Sequence, residues 1–130
     1  MLFQASCHSE VNRALQKNGW VISSEQIRFD SDILAVVDME VMKDGETAYI
    51  LIKCFSDPNI TQEIFGAVGQ YLVYRTLLNK VKSEAVLYLS VPENIYQKHF
   101  TDPIRRALQS NGIKMIIVDL AKEEIVQWIQ

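Results

Sequence analysis

The sequence predicts a mixed α/β domain in which a central sheet is covered by helices on both faces. Three observations predict it. Phe3, Cys7, Val11, Ala14 and Leu15 recur at spacings of three and four, the signature of one helical face. The run Ala85-Val-Leu-Tyr-Leu-Ser-Val91 is apolar almost without interruption, which marks a central strand buried on both sides. Segments of helical and extended character then alternate along the chain, and a doubly buried sheet needs helices on each face.

The first helix stops at Asn18-Gly19, residues suited to a helix C-terminus. Trp20-Val-Ile and Gln26-Ile-Arg-Phe read as two short extended pieces, and Ile33 to Val37 as a strand. Lys43-Asp-Gly-Glu is a turn, because Asp-Gly tolerates the positive φ that a hairpin requires. Tyr49 to Phe55 is the next strand. Asp57-Pro58-Asn59 breaks the chain, and Asn59 caps a long helix from Ile60 to about Asn79. After the central strand, Pro92 starts a short helix through Phe100. Asp102-Pro103 opens another that Asn111-Gly112 ends. Met115 to Val118 and Ile125 to Ile129 close the chain as two strands. The order is αβββαβ, then one or two helices and two strands.

At 130 residues, 48% apolar and 22% charged, the chain has the composition of one globular domain spanning 1–130. Disorder, collagen and coiled coil are excluded. A net charge of -3 supplies no bulk positive field for phosphate backbones, so any nucleic-acid contact must come from a local patch. No apolar run approaches the roughly 18 residues of a membrane span, and MLFQASCHSE lacks a signal peptide's basic start and apolar run. A cytoplasmic protein with no membrane contact is expected. Cys7 and Cys54 are too few for a disulfide framework, which fits a reducing compartment, and with His8 and His99 they lack zinc-finger spacing.

Chemistry first shows in the strand Tyr49 to Phe55, where alternation puts Tyr49, Leu51, Lys53 and Phe55 on one face. Lys53 interrupts an apolar strand and needs an acid or an edge, because burying an unpaired ammonium is costly. Asp32 is its expected partner, with Asp30 beside it. On the long helix, Gln70 and Tyr74 stack four residues apart with Arg75 adjacent, a polar clamp suited to phosphate or carboxylate. Gly66 and Gly69 weaken that helix, and close approach to the sheet is the expected reason.

His8-x-x-Val11-x-x-Ala14-Leu15-x-Lys17-x-Gly19-Trp20, Ile52-Lys53-x-Phe55, Gly69-Gln70-Tyr71-x-x-Tyr74-Arg75 and Leu87-Tyr88-Leu89-x-Val91-Pro92 together resemble the XisH family. The closing Ile125-Val126-Gln127-Trp128-Ile129 also fits. The family is named for control of fdxN-element excision in cyanobacteria, and its fold resembles the restriction-endonuclease-like PD-(D/E)XK nucleases. In such nucleases two carboxylates and a lysine surround a divalent cation that activates water. The resemblance implies Asp32 as the first acid and metal ligand, Lys53 as the lysine, and Gln70 with Tyr74 as a substrate-side pair. Arg75 is the neighbouring nucleic-acid contact.

Two acids of that pattern are missing. The acid of the E-x-K falls at Leu51, and that of a D-x-x-x-E stretch at Val36. A leucine cannot ligate Mg²⁺. The resemblance thus implies an excision controlling factor whose nuclease-like site is catalytically degenerate, working through a protein partner of XisI type or DNA, with no cofactor. Homo-oligomerisation is open. The alternative is a Mg²⁺-dependent DNA endonuclease in which Asp30, Asp38 or Glu63 replaces the lost ligand.

Overall fold

Val11, Ala14 and Leu15 form the buried stripe of α1 (His8–Lys17). The structure, a computed structural model, describes residues 6–30 and 34–130. Gly19 closes α1 at φ +89, with its amide on the Gln16 carbonyl. Three antiparallel strands follow: β1 (Val21–Asp30), β2 (Leu34–Lys43) and β3 (Glu46–Ile52). The crossover helix α2 (Ile60–Val81) leads to β4 (Val86–Pro92), parallel to β3. Helices α3 (Glu93–His99) and α4 (Asp102–Ser110) lead to β5 (Lys114–Asp119), parallel to β4, and β6 (Glu124–Ile129) pairs antiparallel at the edge. The sheet order β1-β2-β3-β4-β5-β6 puts β3 and β4 at its centre.

Both faces of this sheet are covered, as the apolar central strand requires. On one face Leu51, Leu87 and Leu89 pack against Ile64, Ala67 and Tyr71 of α2. On the other Ile50, Ile52 and Ile116 pack against Val11 and Leu15 of α1. Trp128 of β6 joins the second cluster against Trp20 and Tyr88.

The elements depart from the sequence reading where polar residues are tolerated. The two extended pieces before residue 30 are one edge strand, irregular in register between Ile22 and Ser24 and with Gln26 at φ +54. Solvent on its outer side allows the polar stretch Ser23-Ser24-Glu25. Strand β2 continues past Val37 through Asp38 and Glu40, because only every second residue is buried. Strand β3 ends at Ile52, and Phe55 takes φ +57, a left-handed conformation no strand residue holds.

Two expectations are corrected. Gly66 and Gly69 do not approach the sheet: a Cβ on either would meet nothing within 4 Å. Helical periodicity gives the sheet side to Ile64, Ala67, Tyr71 and Leu78, which turns both glycines outward. Cys7 and Cys54 are joined in a disulfide across 47 residues of chain. The N-cap of α1 lies over the C-terminal end of β3, where Cys54 follows the strand.

Candidate functional site

Lys53 stands immediately after β3, and its backbone N–H donates to the Ser90 carbonyl of β4 at 3.2 Å. That bond holds it at the C-terminal edge of the parallel strands, the edge where open α/β sheets form their sites. A pocket of about 410 Å³ opens there, lined by Lys53, Cys54, Phe55, Glu63, Gly66 and Gln70 among others. Helix α2 supplies the opposite wall. Its start is fixed by Asn59, whose side chain accepts the Gln62 N–H at 3.2 Å, and by Asp57, whose carboxylate accepts the Asn59 N–H at 2.8 Å. Glu63 and Gln70, two turns apart, then face Lys53 from one side of the helix.

The pocket joins Lys53 and Gln70, two of the residues that the sequence singles out. Tyr74 lies one turn beyond Gln70 and packs against the α2-side core instead of lining the pocket. Arg75 points elsewhere: its Nη1 donates to the Asn111 and Gly112 carbonyls at 2.9 and 3.2 Å, and its guanidinium lies 5.5 Å from the Tyr71 ring centroid. Asp32 lies outside the described residues, as does the side chain of Asp30.

Asp38 and Glu63 are the acids the structure does place. The Asp38 carboxylate accepts the Ile52 N–H at 2.7 Å. Burial pushes its pKa up, against smaller downward pulls from that bond and from the charges of His8 and Lys53. Counting back from the Asp44-Gly45 turn puts Asp38 beside the end of β3, a signal available in the sequence. Glu63 accepts the Asp57 N–H at 2.7 Å, so part of its carboxylate is committed to the loop. His8 is buried, with Nε2 3.0 Å from Glu25 and with Nδ1 lacking a hydrogen-bond partner among the described residues.

Leu51 is 2% exposed and belongs to the core beneath α2. A hard cation takes several oxygen ligands, and among the described residues no three His, Cys, Asp or Glu side chains are placed to hold a metal ion.

A larger cleft, about 1000 Å³, lies at the opposite edge of the sheet. Two of its three lysines are already engaged. Lys82 donates to the Tyr49 hydroxyl at 2.7 Å and pairs with Glu40 at 3.5 Å, and Lys43 donates to the Asn18 carbonyl at 2.6 Å. Tyr49 donates to Glu40 at 2.6 Å, which is the main cause holding the Glu40 carboxyl below its usual range. Lys82, Tyr49 and Glu40 satisfy one another, whereas the Lys53 pocket gathers Lys53 and Gln70, two of the residues that the sequence singles out, and is the better candidate.

A six-stranded mixed sheet flanked by helices, with a lysine and a glutamine meeting at the C-terminal edge of its parallel strands, defines the class of protein. The family model described as XisH protein matches residues 1–126, so the chain belongs to the XisH family. A crystal structure of an XisH family protein from Nostoc punctiforme PCC 73102 is 31% identical, with a TM-score of 0.89 over 95% of this chain and 98% of that one. That of an fdxN element excision controlling factor protein from Anabaena variabilis is 30% identical, with a TM-score of 0.89 over 95% of this chain and 97% of that one. No curated protein matches the chain. No helix among the described residues is long and apolar enough to cross a membrane.

Proposed function

We propose that this chain is a controlling factor in programmed DNA excision that binds without cutting: a restriction-endonuclease-like fold with a catalytically degenerate site. It acts through a protein partner of XisI type or through DNA, and needs no metal. The observation that carries this reading is Leu51, an apolar side chain sealed in the core where the nuclease pattern has a metal-binding acid. The excision role of the Anabaena variabilis relative supports the biological setting.

The test is direct. Incubated with Mg²⁺ or Mn²⁺, the protein is expected to leave duplex, branched and single-stranded DNA intact, and purification from its host is expected to recover a protein partner. Metal-dependent nicking that disappears in Lys53→Ala would overturn the proposal. One observation favours a second reading. Lys53, Glu63 and Gln70 share one pocket, and a Mg²⁺-dependent endonuclease using Glu63 as its second acid would show that nicking and lose it in Glu63→Gln.

A further inference from the structure

Helix α2 turns Ile64, Ala67, Tyr71 and Leu78 to the sheet, yet its other side lacks the character of a solvent face. From Gln62 through Thr76 the outward stripe carries no charge. Phe65 is 55% exposed and Val73 45%, with Gly66 and Gly69 between them. Neither glycine has a positive φ or a neighbour at its Cβ position. Each weakens the helix relative to alanine, with no return inside this chain. A contiguous exposed apolar patch marks an interaction site.

We propose that this face packs against the same face of a second copy of the chain, the two α2 helices running antiparallel about a twofold axis at Gly69. Self-complementarity selects the occupant. In a twofold interface each residue meets the one equally far on the other side of the axis. Gly69 meets itself, which lets the backbones approach. Phe65 meets Val73, and Gln62 meets Thr76. Lys80, near one end of the helix, comes opposite the acidic approach to the other end at Asp57. Lys80 and Asp57 are exposed, and neither makes an ion pair among the described residues. An unrelated partner would require no such matching about one residue. Gly66 also lines the Lys53 pocket, so the second copy stands at its rim.

Sedimentation velocity across a concentration series is expected to show a monomer–dimer equilibrium, with Phe65→Glu weakening it about tenfold or more. Asp57→Lys and Lys80→Asp are each expected to weaken the dimer, and the two together to restore it. With Cys7 and Cys54 bonded to each other, Gly69→Cys adds a lone thiol that is expected to cross-link two chains under mild oxidation. All these positions are exposed, and circular dichroism confirms that each variant is folded. A monomer at every concentration would overturn the proposal. So would a dimer indifferent to Phe65→Glu, or a monomer that uses this face for a different protein.

Discussion

The Asp38 carboxylate accepts the Ile52 N–H at 2.7 Å, tying β2 to the last residue of β3 beyond the final ladder pair, Met39 with Ile50. Burial is the largest influence on this carboxyl and raises its pKa above the ordinary 3.8. The folded chain therefore holds the proton more tightly than the unfolded one. Asp38's contribution to stability is fully present below 3.8 and is lost as pH rises through the raised value. At neutral pH the charged form is a net burden. Asp38→Asn keeps an acceptor oxygen for Ile52 and removes the charge. Its urea midpoint is expected to exceed the parent's at pH 7 and to converge with it at pH 3. Glu40 is shifted the opposite way, so the difference between variant and parent is the quantity to read.

The Cys7–Cys54 bond closes a loop with a sequence separation of 47. In the chain-entropy view such a crosslink stabilises the folded state by about 4 kcal/mol, chiefly by restricting the unfolded chain. Reduction, or Cys54→Ser, is expected to lower stability by up to that amount. Paired urea titrations with and without dithiothreitol measure it, and thiol alkylation reports whether the bond is present in the purified protein. An unchanged midpoint together with two alkylated thiols would show that the fold holds without the crosslink.

Tyr71 joins α2 to the parallel strands β4 and β5 through one buried hydroxyl. It donates to the Leu87 carbonyl at 2.6 Å and accepts the Lys114 N–H at 3.2 Å. Phenylalanine in its place keeps the ring in the core but leaves a buried carbonyl and amide without this partner. Tyr71→Phe is expected to cost about 1–3 kcal/mol, read as a fall in thermal midpoint with the circular dichroism spectrum unchanged.

Parts of this molecule are legible in the sequence because one local cause dominates them. Strand β4 is apolar since both faces are covered, and α2 begins where Asn59 can cap it. Strands β1 and β2 are harder to read, because an edge position and a half-covered face admit Ser23, Glu25, Asp38 and Glu40 without breaking the ladder. The meeting of Lys53 with Gln70 follows from the family resemblance and not from periodicity, since it depends on where the β3–α2 connection sets the helix. The Cys7–Cys54 bond has no local signature at all. It arises from the seating of α1 over the end of β3, a long-range packing result, just as the outward direction of Gly66 and Gly69 follows from which face of α2 meets the sheet.

Leu51→Glu separates a lost metal site from one that never depended on this position. Leu51 is 2% exposed among the apolar side chains under α2. Replacing it with a carboxylate forfeits its packing and buries a charge, an expected loss of about 2–5 kcal/mol. Burial disfavours the charged form, so the loss is expected to grow as pH rises from 5 to 8. A bound ion stabilises the state that binds it in proportion to the logarithm of its concentration over Kd. If Leu51 occupies the seat of a former ligand, millimolar Mn²⁺ should raise the thermal midpoint of the glutamate variant and leave the parent unmoved. An equal rise in the parent would mean that other oxygen donors already hold the cation, and the degenerate-site reading would fail.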